Sequence, residues 1–138
     1  MTEIEAILWG AVIGGTIGIV GTYIGAIKLA RINNKSLAGM RLREAFAPEL
    51  AKLQHPERSG VAEFAEILER AFEKHQMAVN EFRFFLTGDE LTSFNKAWRE
   101  YYSYPHEDKP NFSKHMMLSD EDIQNTIKEI EAILNFTK

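Results

Sequence analysis

The sequence predicts an all-α protein, a single N-terminal transmembrane helix followed by a small cytoplasmic helical bundle. Three observations carry that prediction. An uncharged run of 22 residues, Ala6 to Ile27, lies between Glu5 and Lys28. Beyond it, apolar residues recur three and four apart in several stretches, the spacing of one helix face. No stretch alternates apolar and polar residues in the manner of a half-buried strand. The 138 residues therefore divide into a membrane segment, residues 1–30, and one modest helical domain, residues 31–138.

The uncharged run amounts to about 33 Å of helix, close to the roughly 30 Å thickness of bilayer hydrocarbon. A core helix in so small a domain would rarely be apolar all round for that length. A cleaved signal peptide would need a basic start and a shorter apolar run, whereas this chain starts with Glu3 and Glu5. The reading is an uncleaved anchor. Its N-terminal flank has no Lys or Arg, while Lys28, Arg31, Lys35, Arg41 and Arg43 follow the span. The positive-inside rule then places the N-terminus outside and the domain in the cytoplasm. Trp9 falls at the outer interface. The basic residues set topology, and contact with anionic headgroups is a second role open to them.

Six of the nine glycines lie in the span: Gly10, Gly14, Gly15, Gly18, Gly21 and Gly25. Ala11, Gly14, Gly18, Gly21 and Gly25 step by three, four, three and four, which makes one small-residue stripe. GxxxG steps recur at Gly10/Gly14, Gly14/Gly18 and Gly21/Gly25. Small residues let helix backbones approach closely where no hydrophobic effect favours association. Gly10, Gly14, Gly18, Gly21 and Gly25 are thus the candidate oligomerisation residues. Gly15, Thr22 and Ala26 form a second strip, and two strips suit a ring as well as a dimer. If a ring encloses a lumen, Thr16 and, at the inner mouth, Asn33 and Asn34 are the candidate pore-lining residues.

Four helical stretches follow. The first, from about Ser36 to Leu53, carries Leu37, Leu42, Phe46, Leu50 and Leu53, and Pro48 is expected to kink or divide it near Ala47. His55-Pro56 and Ser59-Gly60 mark a loop. The second begins at Val61 and holds helical spacing to Leu86, as one helix or two. Thr87-Gly88-Asp89 separates it from an aromatic helix with Leu91, Phe94, Trp98, Tyr101 and Tyr102. A long loop, residues 103–118, contains Pro105 and Pro110. Ser119 with Asp122 then starts a last helix bearing Ile123, Ile127, Ile130 and Leu134. Core packing accounts for most of the chain's aromatic residues.

Composition narrows the chemistry. The absence of cysteine excludes disulfides and thiolate metal sites and fits a reducing compartment. A net charge of -4 argues against general nucleic-acid binding. His106 and His115, with eight residues between them and no further ligand, make a poor metal pair, so neither metal nor other cofactor is expected. Arg70 and His75 form an R-x4-H arrangement on the second stretch. A His can move protons to and from a ribose hydroxyl while an Arg stabilises phosphoryl charge, so these are the candidate catalytic residues. Alternatively, each pairs with a nearby carboxylate: Glu66, Glu69 or Glu73.

The R-x4-H spacing resembles the motif of HEPN-type ribonucleases, although Ala71 stands where that family usually has a polar residue. Three stretches carry a broader resemblance: Leu42-Arg43-Glu44-Ala45-Phe46-Ala47-Pro48-Glu49-Leu50; Ala71-Phe72-Glu73-Lys74-His75 leading into Glu81-Phe82-Arg83; and Phe94-Asn95-Lys96-Ala97-Trp98 with Tyr101. Over residues 36–102 they resemble a widespread group of small bacterial proteins with one N-terminal membrane helix. More loosely, the architecture resembles the membrane accessory proteins of type VI, RNA-targeting CRISPR systems, which are held to form pore-like rings that strengthen antiphage defence. These resemblances imply a homo-oligomer of the bacterial inner membrane that perturbs membrane integrity or potential, with a cytoplasmic defence nuclease as a partner. A membrane-tethered HEPN-like ribonuclease using Arg70 and His75, and a membrane scaffold for a cytoplasmic partner, are the alternatives.

Overall fold

A computed structural model describes residues 2–56, 64–102, 112 and 119–138, without the side chains of residues 6 and 8–17. Among the described residues the protein is all-helical. Helix α1 spans Glu3–Gln54, α2 Phe64–Arg83, α3 Gly88–Tyr102 and α4 Asp120–Leu134, followed by a short 3-10 turn, Asn135–Thr137. The chain divides into two compact units, Met1–Asn34 and Lys35–Lys138. Among the described residues no helix is long and apolar enough to cross a membrane. Much of the uncharged run, residues 6 and 8–17, lies outside the side chains so described.

The first unit begins with a reciprocal cap. The Glu5 N–H donates to Thr2 Oγ1 at 3.4 Å and the Thr2 N–H to Glu5 Oε2 at 2.8 Å, which satisfies two donors at the helix start. Every described side chain from Gly18 to Asn34 is exposed. The Thr22 hydroxyl donates back to the Gly18 carbonyl at 2.8 Å, so it needs no partner beyond its own helix.

In the second unit, α1 is not divided at Pro48. Proline removes one helical hydrogen bond and crowds the carbonyl four residues back. Packing outweighs that cost, because Leu42, Phe46 and Leu53 on either side are fixed in the core. The stretch expected from Val61 is one helix, α2, described from Phe64. It ends in a turn closed by Phe85 N–H to Phe82 carbonyl and Leu86 N–H to Arg83 carbonyl, both 3.0 Å. Gly88 then takes a positive φ of 57°, a conformation side-chain-bearing residues resist, and opens α3. Ser119 caps α4, its Oγ accepting the Asp122 N–H at 3.1 Å. Of the loop expected at His55-Pro56 and Ser59-Gly60, residues 57–60 fall outside the described residues, as does the loop expected at 103–118, with His106 and His115, apart from Phe112.

The core joins Leu42, Phe46 and Leu53 of α1 to Leu68, Val79 and Phe82 of α2, Phe94, Trp98 and Tyr101 of α3, and Ile127, Ile130 and Ile133 of α4. Aromatic contacts knit it: Phe82 meets Phe94 at 5.5 Å between ring centroids, and Phe94 meets Phe136 at 5.3 Å. The chain's last turn is seated on α1. Arg43 donates to the Thr137 hydroxyl at 2.6 Å and to its carbonyl at 3.1 Å, and Gly39 leaves space where a Cβ would lie 3.2 Å from that of Thr137.

Ile130 is fully buried, whereas Met77 is 74% exposed. Chemical denaturation should therefore show Ile130→Ala losing about 2–5 kcal/mol and Met77→Ala staying within about 0.5 kcal/mol of the parent. Equal losses would contradict this core assignment.

Candidate functional site

A polar cluster sits inside the second unit, built from one residue on each of three helices. On α1 the core-facing positions are Leu42, Ala45, Phe46, Glu49 and Leu53, spaced for one helix face, so Glu49 is a carboxylate on an apolar stripe. On α2 the buried positions Leu68, Ala71, His75, Val79 and Phe82 do the same for His75. On α3, Phe94, Ala97, Trp98 and Tyr101 bring in the Tyr101 hydroxyl.

His75 is fully buried, with Phe46 stacked on its ring at 3.9 Å and 12° between planes. Its Nε2 lies 3.1 Å from the Ala45 carbonyl oxygen and 3.1 Å from Glu49 Oε2. Both are acceptors, so Nε2 carries the proton and donates to them. Nδ1 lies 3.1 Å from the Tyr101 hydroxyl, which donates to it when the imidazole is neutral. Burial holds the His75 pKa below its ordinary 6.5. Hydrogen bonding and charge from Glu49 pull it up but do not prevail, and the nearby Lys74 ammonium lowers it further. Burial also pushes the Tyr101 hydroxyl well above the ordinary phenol range, with the Glu49 and Glu129 carboxylates adding to the effect. The cluster at neutral pH is thus Tyr–OH, neutral His and carboxylate in one hydrogen-bonded line. Lys74 closes its outer end with Nζ 3.2 Å from Glu49 Oε2.

Arg70 and His75 are not brought together. Five residues apart on one helix means about 140° between side chains, so the two point to different faces. Arg70 is 77% exposed and paired with Glu66 on its own helix. His75 takes its carboxylate from α1, not from Glu66, Glu69 or Glu73. Arg70 and Glu49 do line a common groove of about 280 Å³ with Lys52, Ile67, Ala71 and Lys74, but His75 lies behind Glu49 with no exposed surface. Within one chain this geometry joins helices and offers no imidazole to a ribose hydroxyl. Among the described residues no group of three or more potential ligands is placed to hold a metal ion.

Glu49 and Tyr101 were the partners that motif reading missed. The signal for Glu49 was available: a single charge on an otherwise apolar helical face. Tyr101 reads only as a core aromatic.

On the N-terminal helix, Gly18, Gly21 and Gly25 have, beyond the backbone of their own helix turn and their chain neighbours, no heavy atom within 4 Å of where a Cβ would sit. Asn33 and Asn34 are exposed. Gly10, Gly14 and Thr16 lie outside the described side chains.

Two outcomes follow from the cluster. His75→Ala strands a buried carboxylate and should cost about 3 kcal/mol or more, Tyr101→Phe about 1–2 kcal/mol, and Arg70→Ala no more than about 0.5 kcal/mol by denaturant titration. Because the folded pKa of His75 is depressed, the unfolded chain binds the extra proton first as pH falls. Its contribution to stability is therefore full above pH 6.5 and is lost as pH falls from there through the folded value. Denaturation midpoints taken across that range should fall with acid in the parent and fall less in His75→Gln; identical pH profiles would refute the assignment.

No family model, curated protein or solved structure matches this chain.

Proposed function

We propose that the chain is a single-pass protein of the bacterial inner membrane whose N-terminal helix self-associates through its glycine stripe, carrying a rigid helical domain on the cytoplasmic side. The observation that carries this reading is exposure. Among the described residues, Ile19, Val20, Ile24 and Ile27 remain between 49% and 73% exposed. Leaving such side chains in water forgoes roughly 1.5–3 kcal/mol each, so lipid or another copy is the natural cover. The helix supplies its own backbone hydrogen bonds, as lipid requires, and Thr22 satisfies its hydroxyl internally. Gly18, Gly21 and Gly25 leave an open seam for a neighbouring backbone.

The activity proposed is perturbation of membrane integrity or potential by a homo-oligomer, in a ring where a lumen forms, as part of antiphage defence. Support for the defence role is the resemblance set out above. The domain's tied Tyr–His–Glu line suits a rigid assembly element. Within a single chain His75 is fully buried, which favours the assembly reading over the ribonuclease one.

Sedimentation of detergent-solubilised protein tests the reading. The parent should run as an oligomer, and Gly18→Leu with Gly21→Leu should run as a monomer, because two leucines hold the backbones apart. An unchanged oligomer would contradict the proposed seam. RNA cleavage by the purified parent, lost in Arg70→Ala, would move the assignment to the nuclease.

A further inference from the structure

Charge is segregated along this chain. From Ala6 to Arg43 there is no Asp or Glu, and all five charged residues there are cations: Lys28, Arg31, Lys35, Arg41 and Arg43. The chain as a whole carries -4, so the rest is strongly acidic. Three of the five cations are already engaged. Lys35 Nζ lies 3.1 Å from Glu90 Oε1, Arg41 pairs with Glu81, and Arg43 is held by Thr137. Lys28 and Arg31 differ. Both are exposed, and among the described residues neither has an ion pair or hydrogen-bonding side-chain partner. Three residues apart, they share one face of a single helical turn.

We propose that Lys28 and Arg31 bind the phosphate of anionic phospholipid headgroups in the cytoplasm-facing leaflet. The proposal rests on the membrane reading given above and names the lipid that reading leaves open. If the hydrocarbon layer ends at Ile27, Lys28 lies about 1.5 Å and Arg31 about 6 Å farther along the axis. The headgroup layer is roughly 5–8 Å deep on each side, so both side chains fall within it. The Arg31 guanidinium presents paired N–H groups that match two phosphate oxygens. The Lys28 ammonium adds a mobile point charge on a stem that can lie along apolar surface. Leu29 and Ile32, 59% and 64% exposed, give the same turn apolar side chains to set against the acyl boundary. A cation used only to fix topology needs no lipid preference. One that binds phosphate does.

The test uses the full-length protein in symmetric vesicles of phosphatidylcholine containing about one third phosphatidylglycerol, where orientation of the chain is immaterial. Electron paramagnetic resonance compares spin-labelled phosphatidylglycerol with spin-labelled phosphatidylcholine at the protein boundary. The parent should prefer the anionic lipid by roughly fivefold. Lys28→Gln with Arg31→Gln should bring the preference near parity, while Lys35→Gln with Arg41→Gln, removing the same charge from engaged positions, should retain it. Parity in the parent, an undiminished preference in the first variant, or equal losses in both would overturn the proposal. A parent that floats with the vesicles but shows parity removes this inference alone. A parent that does not float removes the membrane reading and the proposal together.

Discussion

A carboxylate inside an apolar core is the constraint on which the second unit depends. Glu49 sits on the same helical face as Leu42, Phe46 and Leu53, and an ionised carboxylate there is tolerable only with donors in place. His75 supplies one from α2 through Nε2–H, and Lys74 supplies another from the edge of the same helix. The requirement then propagates. With Nε2 donating, Nδ1 must accept, and the Tyr101 hydroxyl of α3 is its donor. Three helices are thereby tied at one point by groups with complementary proton states. Apolar contacts alone would fix their proximity but not their rotation.

That arrangement bears on function by separating two residues a motif would join. His75 is committed to holding the fold, and Arg70 stands on another face beside Glu66. The large apolar side chains described on the N-terminal helix, from Ile19 to Ile32, are exposed.

Much of the fold was legible because helical periodicity records which face is buried. The aromatic helix around Trp98, the last helix with its Ser119 cap, and the turn at Gly88 follow from apolar spacing, a capping side chain and a conformational need. The union of the N-terminal span and the first stretch into α1 was not legible. Residues from Lys28 to Lys35 have no apolar period to announce a helix, yet the backbone hydrogen bonds of a helix need none, and Lys, Leu, Ala and Arg are good helix formers. At Pro48, where α1 is not divided, a local penalty is visible in the sequence, while the core contacts on either side of it lie far apart in sequence. In the site, the position of His75 could be seen but its partners could not. A pairing between α1 and α3 depends on packing that no single helix encodes, and Glu49 was readable only as a charge out of place on its stripe.

The central claim is that lipid is the medium of the N-terminal helix and that copies of it meet there. Fractionating cells that make the full-length chain, with the membranes washed at high pH to strip peripheral proteins, tests it most directly. The chain should stay in the washed membranes and leave only with detergent, as a particle larger than one protomer. Recovery in the wash as a freely dissolved monomer would contradict the account.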